Sequence, residues 1–499
     1  MNGKISLPAI LMFYLILLVS CNSFANNISV ANISLTGQNV TNHYNMIKFD
    51  IQWDNSWRTS SAPNNWDAAW VFVKYRKGTG AWQHAWLNNA GHLNPAGSTI
   101  AAGLLDPALP FEQTSNPGMG VFIYRDADGT GTFSKTGVQL RWNYGANGLN
   151  DNDIVDIRVF AIEQVYVPQG SFYAGSGGTE ISAFYKYPTS ANPFQITSED
   201  AITVGTSTDN LYYDFSTHGG DQLGPIPAVF PKGYNAFYCM KYEICQKGYV
   251  DFLNNLTAIQ ASYRYYIYGT SFRYGITLYN GLYSTTNPYI ACNYLNWADK
   301  AAYFDWSGLR PITELEFEKA CRGTLPPVPD EYAWGTSEIT TGQYTLSNRG
   351  AINENISTNF STTVGNATYI LTTPYNGNIN GPLRAGIFAG NSSNTGRVTA
   401  GATYYGIMEM SGNLLEQIIT VGNPGGRLFT GKHGNGVLST YGSADVINWP
   451  GTNSYGAGFH GGFWYLDASY MRVSERSGAA GTDTGRYDSD GGRGGRTAP

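Results

Sequence analysis

Apolar and polar residues alternate along several stretches of the N-terminal third, and this pattern constrains the fold more than any other. Residues 47–54 show it best, since Ile47, Phe49, Ile51 and Trp53 alternate with Lys48, Asp50, Gln52 and Asp54. Residues 71–75 and 155–161 largely repeat it. A period of two puts every second side chain on one face of a β-strand. Because turn-forming clusters separate these stretches, residues 27–163 are predicted to form an antiparallel β-sandwich.

A helix signal appears at residues 313–316. Thr313-Glu314-Leu315-Glu316 has the spacing of a capping box, in which the side chains of Thr313 and Glu316 each bind the other residue's backbone amide. The box predicts a helix that begins there and ends at Gly323. Few other long helices are indicated. Residues 353–380, rich in Gly, Asn and Thr, and the tyrosine-rich residues 263–283 are predicted to be loops.

The composition is typical of an exported, loop-rich protein. Charged residues make up 13% of the chain, whereas Gly (60) and Tyr (36) are abundant. The net charge is −6 and no basic stripe is available to neutralise phosphates, which argues against a nucleic-acid partner. Four cysteines follow residue 21. In an oxidising compartment they either pair, in one of three ways, or remain buried free thiols.

The N-terminus predicts export. Lys4 precedes an apolar run that is too short and too terminal for an ordinary membrane span. The run ends in Leu18-Val19-Ser20-Cys21, which resembles a bacterial lipobox, so residues 1–21 are interpreted as a lipoprotein leader with lipidation at Cys21. The alternative is plain secretion with cleavage after Ala25. The predicted location is the bacterial outer membrane or cell surface, with membrane contact only through this anchor, and otherwise the periplasm or the medium.

A series of motifs occurs in order between residues 165 and 499. They read VYVPQGSFYAGS, PKGYNAFYCMKYEICQKGYVDFLNNL, YIACNYLNWADKAAYFDWSGLRPITELEFEKACRG, EYAWGTSE, YYGIMEMSGNLLEQ and RVSER followed by GGRGGR. In this order they resemble the formylglycine-generating-enzyme (sulfatase-modifying factor) domain, a relative of the C-type lectin fold. The resemblance implies that residues 164–499 form a loop-rich α+β domain of that type.

The last segment, residues 458–496, is here called the tail. In the enzymes it resembles, this segment carries two catalytic cysteines, whereas all five cysteines of this chain lie upstream of it. A thiolate is the soft ligand and nucleophile that such chemistry needs. We therefore predict no catalytic residue and no catalytic metal. Two alternatives stay open: a sulfur-directed oxidoreductase of the formylglycine-generating type, and a structural lipoprotein of an envelope or secretion assembly.

The same resemblance implies structural calcium near the Gly412-Asn413 turn. Glu409 and Glu416 would supply carboxylates, and Gly412 and Leu414 would supply backbone carbonyls. Hard oxygen ligands at closely spaced positions suit Ca²⁺. A second site would use Asn348. The alternative for the two glutamates is capping and surface hydrogen bonding.

The tail also resembles the variable region of diversity-generating retroelement target proteins. Those systems mutate adenines in Asn codons, which cannot produce Lys, Glu, Gln, Met or Trp by changes at the first two bases. The residues that fit this rule, predicted to bind a protein or glycan ligand, are Phe463, Tyr465, Asp467, Ser469, Tyr470, Ser477, Asp483, Tyr487, Asp488 and Asp490, with Gly478, Gly481, Gly485 and Ser489 as further variable positions. Three tail residues are of types that this mutagenesis cannot produce, and they are interpreted as framework: Trp464, Met471 and Glu475. The alternative is an ordinary loop surface rich in Gly, Asp and Tyr.

Overall fold

Residues 27–373 and 379–499 are described by this computed structural model, so the leader and Cys21 lie outside the described residues. The N-terminal strands are β1 (Ser29–Asn39), β2 (Tyr44–Arg58), β3 (Asp67–Lys77), β4 (Gln83–His84), β5 (Thr99–Leu104), β6 (Gly118–Tyr124), β7 (Gly129–Trp142) and β8 (Val155–Val167). Within these ranges, no helix is both long enough and apolar enough to span a bilayer.

The remaining chain is loop-rich, with short strands and few helices. Its strands are β9 (Phe172–Ala174), β10 (Tyr185–Lys186), β11 (Phe194–Ile196), β12 (Leu211–Tyr212), β13 (Phe237–Met240), β14 (Ile276–Tyr279), β15 (Leu282–Thr285), β16 (Arg310–Pro311), β17 (Thr345–Ser347), β18 (Asn355–Thr358), β19 (Leu415–Ile419), β20 (Ala457–His460), β21 (Asp490–Gly491) and β22 (Gly494–Thr497). Its helices are α1 (Gln246–Leu253), α2 (Ala258–Arg264), α3 (Trp297–Ser307), α4 (Glu314–Arg322) and α5 (Pro424–Arg427), with a 3₁₀ turn at Ala468–Met471.

The alternating residues of the N-terminal third are buried where the pattern places them. Strands β1, β2 and β7 form one sheet, and the apolar side chains of β2 pack against those of β3, β6 and β8 in a second sheet. The second sheet is also covered on its other face. There Phe72 lies edge-on to Trp306 of α3, with ring centroids 5.0 Å apart. This explains why apolar Phe72 occupies a position where the alternation expects a polar residue.

Strand β8 links the N-terminal third to the rest of the chain. It pairs with β3 over residues 155–165 and, through its last residues, with β13. Beyond β13 the same sheet continues through β22 and β16, so the C-terminus of the chain joins it. The expected division between residues 163 and 164 therefore falls inside a strand, and the division into domains stays a prediction.

The capping-box prediction is confirmed. The amide of Glu316 donates to Oγ1 of Thr313 over 3.1 Å, and the amide of Thr313 donates to Oε2 of Glu316 over 3.0 Å. Helix α4 ends at Gly323, with φ at +69°. A Cβ at Gly323 would lie 2.1 Å from Cδ1 of Tyr404, so both the backbone conformation and the close contact require glycine.

Candidate functional site

The tail is anchored in a small sheet at both of its ends. Its first residues form β20, which pairs antiparallel with β19 and sets His460 opposite Glu416. Its later residues form β21, which pairs parallel with β19 and sets Asp490 opposite Leu415. The intervening residues therefore leave and return to the same strand as a long loop.

Buried arginines that follow β21 fix the end of the tail to the scaffold. Nε of Arg493 donates to Oε1 of Glu416 over 2.5 Å, and its Nη2 donates to the carbonyl of Met408 over 2.8 Å. Arg496 donates to the carbonyls of Gly308 and Leu104, so it bridges the tail to the N-terminal third. Both guanidinium groups are fully buried. The acceptors around Arg493 match its fixed geometry, whereas Nε of Arg496 is buried without a hydrogen-bond partner.

The three framework residues that mutagenesis of Asn codons cannot produce are also buried. Trp464 and Met471 are 0% exposed and Glu475 is 7% exposed. Nε1 of Trp464 donates to the carbonyl of Asp488 over 3.1 Å, which ties the two halves of the tail together. Glu475 accepts the amides of Ile181 and Ser477. The interpretation of these residues as framework agrees with their packing.

Most of the predicted ligand-binding residues are half-buried, and three are exposed. Asp467, Tyr470 and Tyr487 are exposed, and the half-buried residues are Phe463, Tyr465, Ser469, Ser477, Asp483 and Asp488. The glycine positions 478, 481 and 485 are also partly exposed. Asp490 and Ser489 differ, since both are buried.

Tyr465 is held by contacts within the tail. Its hydroxyl donates to Oδ1 of Asp488 over 3.1 Å, and its ring lies edge-on to Phe463 with centroids 4.5 Å apart. Partial burial, followed by the Asp488 carboxylate, raises the pKa of Tyr465 above its usual value. Burial raises the pKa of Asp488. The phenol therefore remains neutral at physiological pH and donates a hydrogen bond.

Asp467 organises the short 3₁₀ turn that presents Tyr470. Its Oδ1 accepts the amide of Ser469 over 2.9 Å and the Ser469 hydroxyl over 2.8 Å. These hydrogen bonds lower the pKa of Asp467. Arg472 follows the turn and donates to Oδ1 of Asp330 over 3.0 Å. Tyr470, with 39% of its surface exposed, projects from a locally braced backbone.

Asp490 is placed by the scaffold and away from solvent. It is 2% exposed, and burial raises its pKa to about 6, an effect that the nearby Lys300 ammonium opposes. Burial likewise lowers the pKa of Lys300 to about 8. Because the carboxylate faces the interior, Asp490 is better suited to holding β21 than to contacting a ligand.

Tyrosines outside the tail adjoin its surface, and the sequence interpretation did not include them. Arg486 donates to the carbonyl of Tyr263 over 2.6 Å, and the amide of Tyr294 donates to the carbonyl of Tyr487 over 2.9 Å. Tyr266 stacks on Tyr294 with centroids 4.0 Å apart. The density of tyrosine in residues 263–283 was the sequence signal that could have indicated this neighbouring patch.

A family comparison decides the classification. The model of the sulfatase-modifying factor enzyme 1-like domain matches residues 158–487. The chain belongs to this family. Among solved structures, the chain is similar to Treponema denticola variable protein 1, at 12% identity and a TM-score of 0.26, covering 63% of this chain and 99% of that one. A search of curated proteins finds no match.

The ligands expected for the first calcium site, at residues 409–416, lie in a buried turn of the sulfatase-modifying factor enzyme 1-like domain. Oε1 of Glu409 accepts the Gly386 amide over 2.8 Å, while Glu416 pairs with Arg493. Oε2 of each glutamate is buried without a hydrogen-bond partner. The Gly412 and Leu414 amides are hydrogen-bonded, and Asn348 lies on an exposed turn. Within residues 27–373 and 379–499, no three His, Cys, Asp or Glu side chains converge as a metal site.

The described cysteines of the sulfatase-modifying factor enzyme 1-like domain are all free thiols. Cys239, Cys292 and Cys321 are buried, and burial raises the pKa of each; for Cys239 the value is about 12. Cys245 accepts the amide of Gly248 at the start of α1. Since the thiolate is the reactive form, the three buried thiols are suited to packing and poorly suited to nucleophilic chemistry.

Proposed function

We propose that this protein is an exported, non-catalytic binding protein whose tail contacts a protein or glycan ligand. The observation that carries the proposal is the division of the tail into a buried framework and an exposed set of side chains. Tyr and Phe offer large contact areas at low entropic cost, while Ser, Asp and Gly adapt around them. Changing the exposed set leaves the buried arginines and Trp464 in place.

The diversified character of this surface is part of the proposal. Its support is that Trp464, Met471 and Glu475, which adenine mutagenesis of Asn codons cannot produce, are buried, whereas most of the predicted variable positions are exposed or half-buried. A rigid scaffold with exchangeable surface residues separates stability from specificity.

The proposal that the protein is not catalytic rests on two observations, the sequence of the tail and the burial of cysteine thiols elsewhere in the chain. The tail has no cysteine, and burial raises the pKa of Cys239, Cys292 and Cys321. Incubation of the purified protein with copper and a sulfatase-derived cysteine peptide should leave the cysteine unoxidised. Formation of formylglycine in that peptide would contradict the proposal.

Site-specific photo-crosslinking tests the binding surface. A photoreactive phenylalanine derivative placed at Tyr470 or Tyr487 should crosslink a specific partner in the native environment. The same group at Ile154, which is 88% exposed and lies outside the tail, is the matched control. Equal crosslinking from all three positions, or none from the tail positions, would contradict a binding role for the tail.

A further inference from the structure

A groove of about 540 Å³ lies outside the tail, between the N-terminal strands and helix α1. Strands β1 and β8 and helix α1 form its walls, and Tyr289, Tyr303 and Trp306 complete the lining. No residue of the tail contributes to it. Its ligand is therefore separate from the one proposed above.

The wall formed by β8 is an unpaired strand edge. On the side away from β3, β8 pairs with β13 through residues 164–167, and the carbonyl of Glu163 accepts the Lys241 amide over 3.0 Å. The chain then leaves the sheet. Residues two apart present their backbone groups to the same edge, so the amides and carbonyls of Ile157, Val159 and Ala161 face the groove. In the described ranges, no strand pairs with them on this side.

The opposite wall, β1, is also an edge. It pairs with β2 and occupies one end of its sheet. Asn27, Ile28, Ser29, Val30 and Ile33 line the groove. Two open edges on either side of one groove offer rows of backbone donors and acceptors that an extended polypeptide can satisfy.

The groove's side chains indicate the character of the occupant. Phe72, Phe160 and Trp306 provide an aromatic wall opposite the aliphatic residues of β1. The charged side chains that line the groove are each held by an ion pair or a hydrogen bond within the protein. Nζ of Lys247 pairs with Asp251 at 2.9 Å, and Nη1 of Arg158 donates to the carbonyl of Asn254 over 3.1 Å. An uncharged, apolar segment fits this lining best, because cationic and acidic side chains are interspersed along it and no cluster of one sign is present to bind a polyanion or a polycation.

Two buried polar atoms on residues that line the groove also lack partners. They are Oε1 of Glu163 and Nε1 of Trp306, on side chains that are 4% exposed. A buried donor or acceptor without a partner lowers the stability of the protein.

We propose that this groove binds an extended, uncharged and largely apolar segment of a partner polypeptide, which adds as a strand along residues 157–161. Strand addition draws affinity from main-chain hydrogen bonds and selectivity from pockets for alternate side chains. The partner's backbone, more than its side chains, is the recognised feature.

Amide hydrogen exchange with a defined probe tests the proposal. The probe is a capped peptide of alternating Thr and Val residues, and its control is the same peptide N-methylated at every residue, which removes the backbone donors of both strand edges. In the free protein, the amides of Val159 and Ala161 should exchange faster than those of Phe160 and Ile162, which face β3. The probe should protect Val159 and Ala161 with a Kd below about 100 µM, and the N-methylated peptide should not. Equal binding of both peptides, or no protection by the probe, overturns the proposal.

Two variants separate strand addition from non-specific adhesion. Ala161→Pro removes a donor that faces the groove and no bond to β3, so the sheet should persist. Ile33→Glu places a charge in the groove at a residue that is 38% exposed, and Ile154→Glu, on an 88% exposed residue outside it, is the matched control. Each groove variant should weaken probe binding at least tenfold, and the control should not. If Ala161→Pro does not fold, unchanged binding to Ile33→Glu still overturns the proposal.

Discussion

Nε of Arg476 donates to Oε2 of Glu314 over 2.7 Å, and both side chains are fully buried. Glu314 is the first residue of helix α4, so this pair fixes the middle of the tail to the capped helix of the scaffold. Burial alone would raise the pKa of Glu314, but the Arg476 guanidinium overcomes it and lowers the pKa to about 2. The pair therefore stays charged throughout the physiological pH range.

Removal of the buried Arg476 guanidinium should lower the free energy of unfolding far more than removal of a guanidinium at the surface. Arg476→Ala leaves the Glu314 carboxylate buried without its partner, and we expect a loss of about 3–5 kcal/mol in the free energy of unfolding. Arg472→Ala breaks a half-exposed pair with Asp330 and should cost about 1 kcal/mol or less. Urea unfolding measures both. Equal losses would contradict the assignment of Arg476 to the framework.

Glu409 should make stability depend on pH. Burial raises its pKa from 4.5 to about 7, so the folded state binds more protons than the unfolded chain between these values. Its contribution is present below pH 4.5 and is lost as the pH rises through 7. In Glu409→Gln, measured in EDTA, the free energy of unfolding should decline less steeply across that window. A pH profile identical to that of the wild type would refute this account.

Calcium binding is proposed at the same turn and has its own test. A cation that binds only the folded state raises the melting temperature by mass action. EDTA should lower the melting temperature of the wild type and have no effect on Glu409→Gln, whose amide oxygen can still accept the Gly386 hydrogen bond. Absence of an EDTA effect on the wild type would remove calcium from the account.

Natural variation should follow the division of the tail. Sequencing of the gene across a bacterial population is expected to find substitutions at exposed positions such as Asp467, Tyr470 and Tyr487. Trp464, Met471 and Glu475 should not vary, because their codons are not produced from Asn codons by adenine mutagenesis. A reverse-transcriptase gene and a near-copy of the tail's DNA should lie nearby. Variation spread evenly along the tail would contradict the diversification proposal.

The sequence predicted local structure well where the structure depends only on residues close together in the chain. Thr313 and Glu316 marked a helix start because a capping box uses only nearby atoms. The loop prediction for residues 263–283 was wrong at its end, where β14 and β15 form a hairpin. Its turn is Asn280-Gly281, at φ values of +49° and +78°. This Asn-Gly pair is a recognised hairpin signal that the flanking tyrosines obscured.

Long-range pairing was beyond the sequence pattern. Nothing local to Asp490 distinguishes it from the exposed Asp467, yet its pairing with β19 places it in the interior. Likewise, the sequence around Glu416 is compatible with a calcium ligand and with a hydrogen-bonding group. Only the fold brings Arg493 to its carboxylate. Such choices depend on residues far apart in the chain, which periodicity and spacing do not encode.

The most direct test of the central claim compares stability with binding in one variant. Tyr470→Ser combined with Tyr487→Ser alters the two most exposed tyrosines of the tail, and Tyr279→Ser, on a 76% exposed residue of β14, is the control. The account predicts that both proteins melt within about 2 °C of the wild type. The double variant alone should bind the crosslinked partner at least tenfold more weakly, as measured by calorimetry. Unfolding of the double variant, or unchanged affinity in a folded one, would contradict the claim that the tail is a binding surface carried by a separate framework.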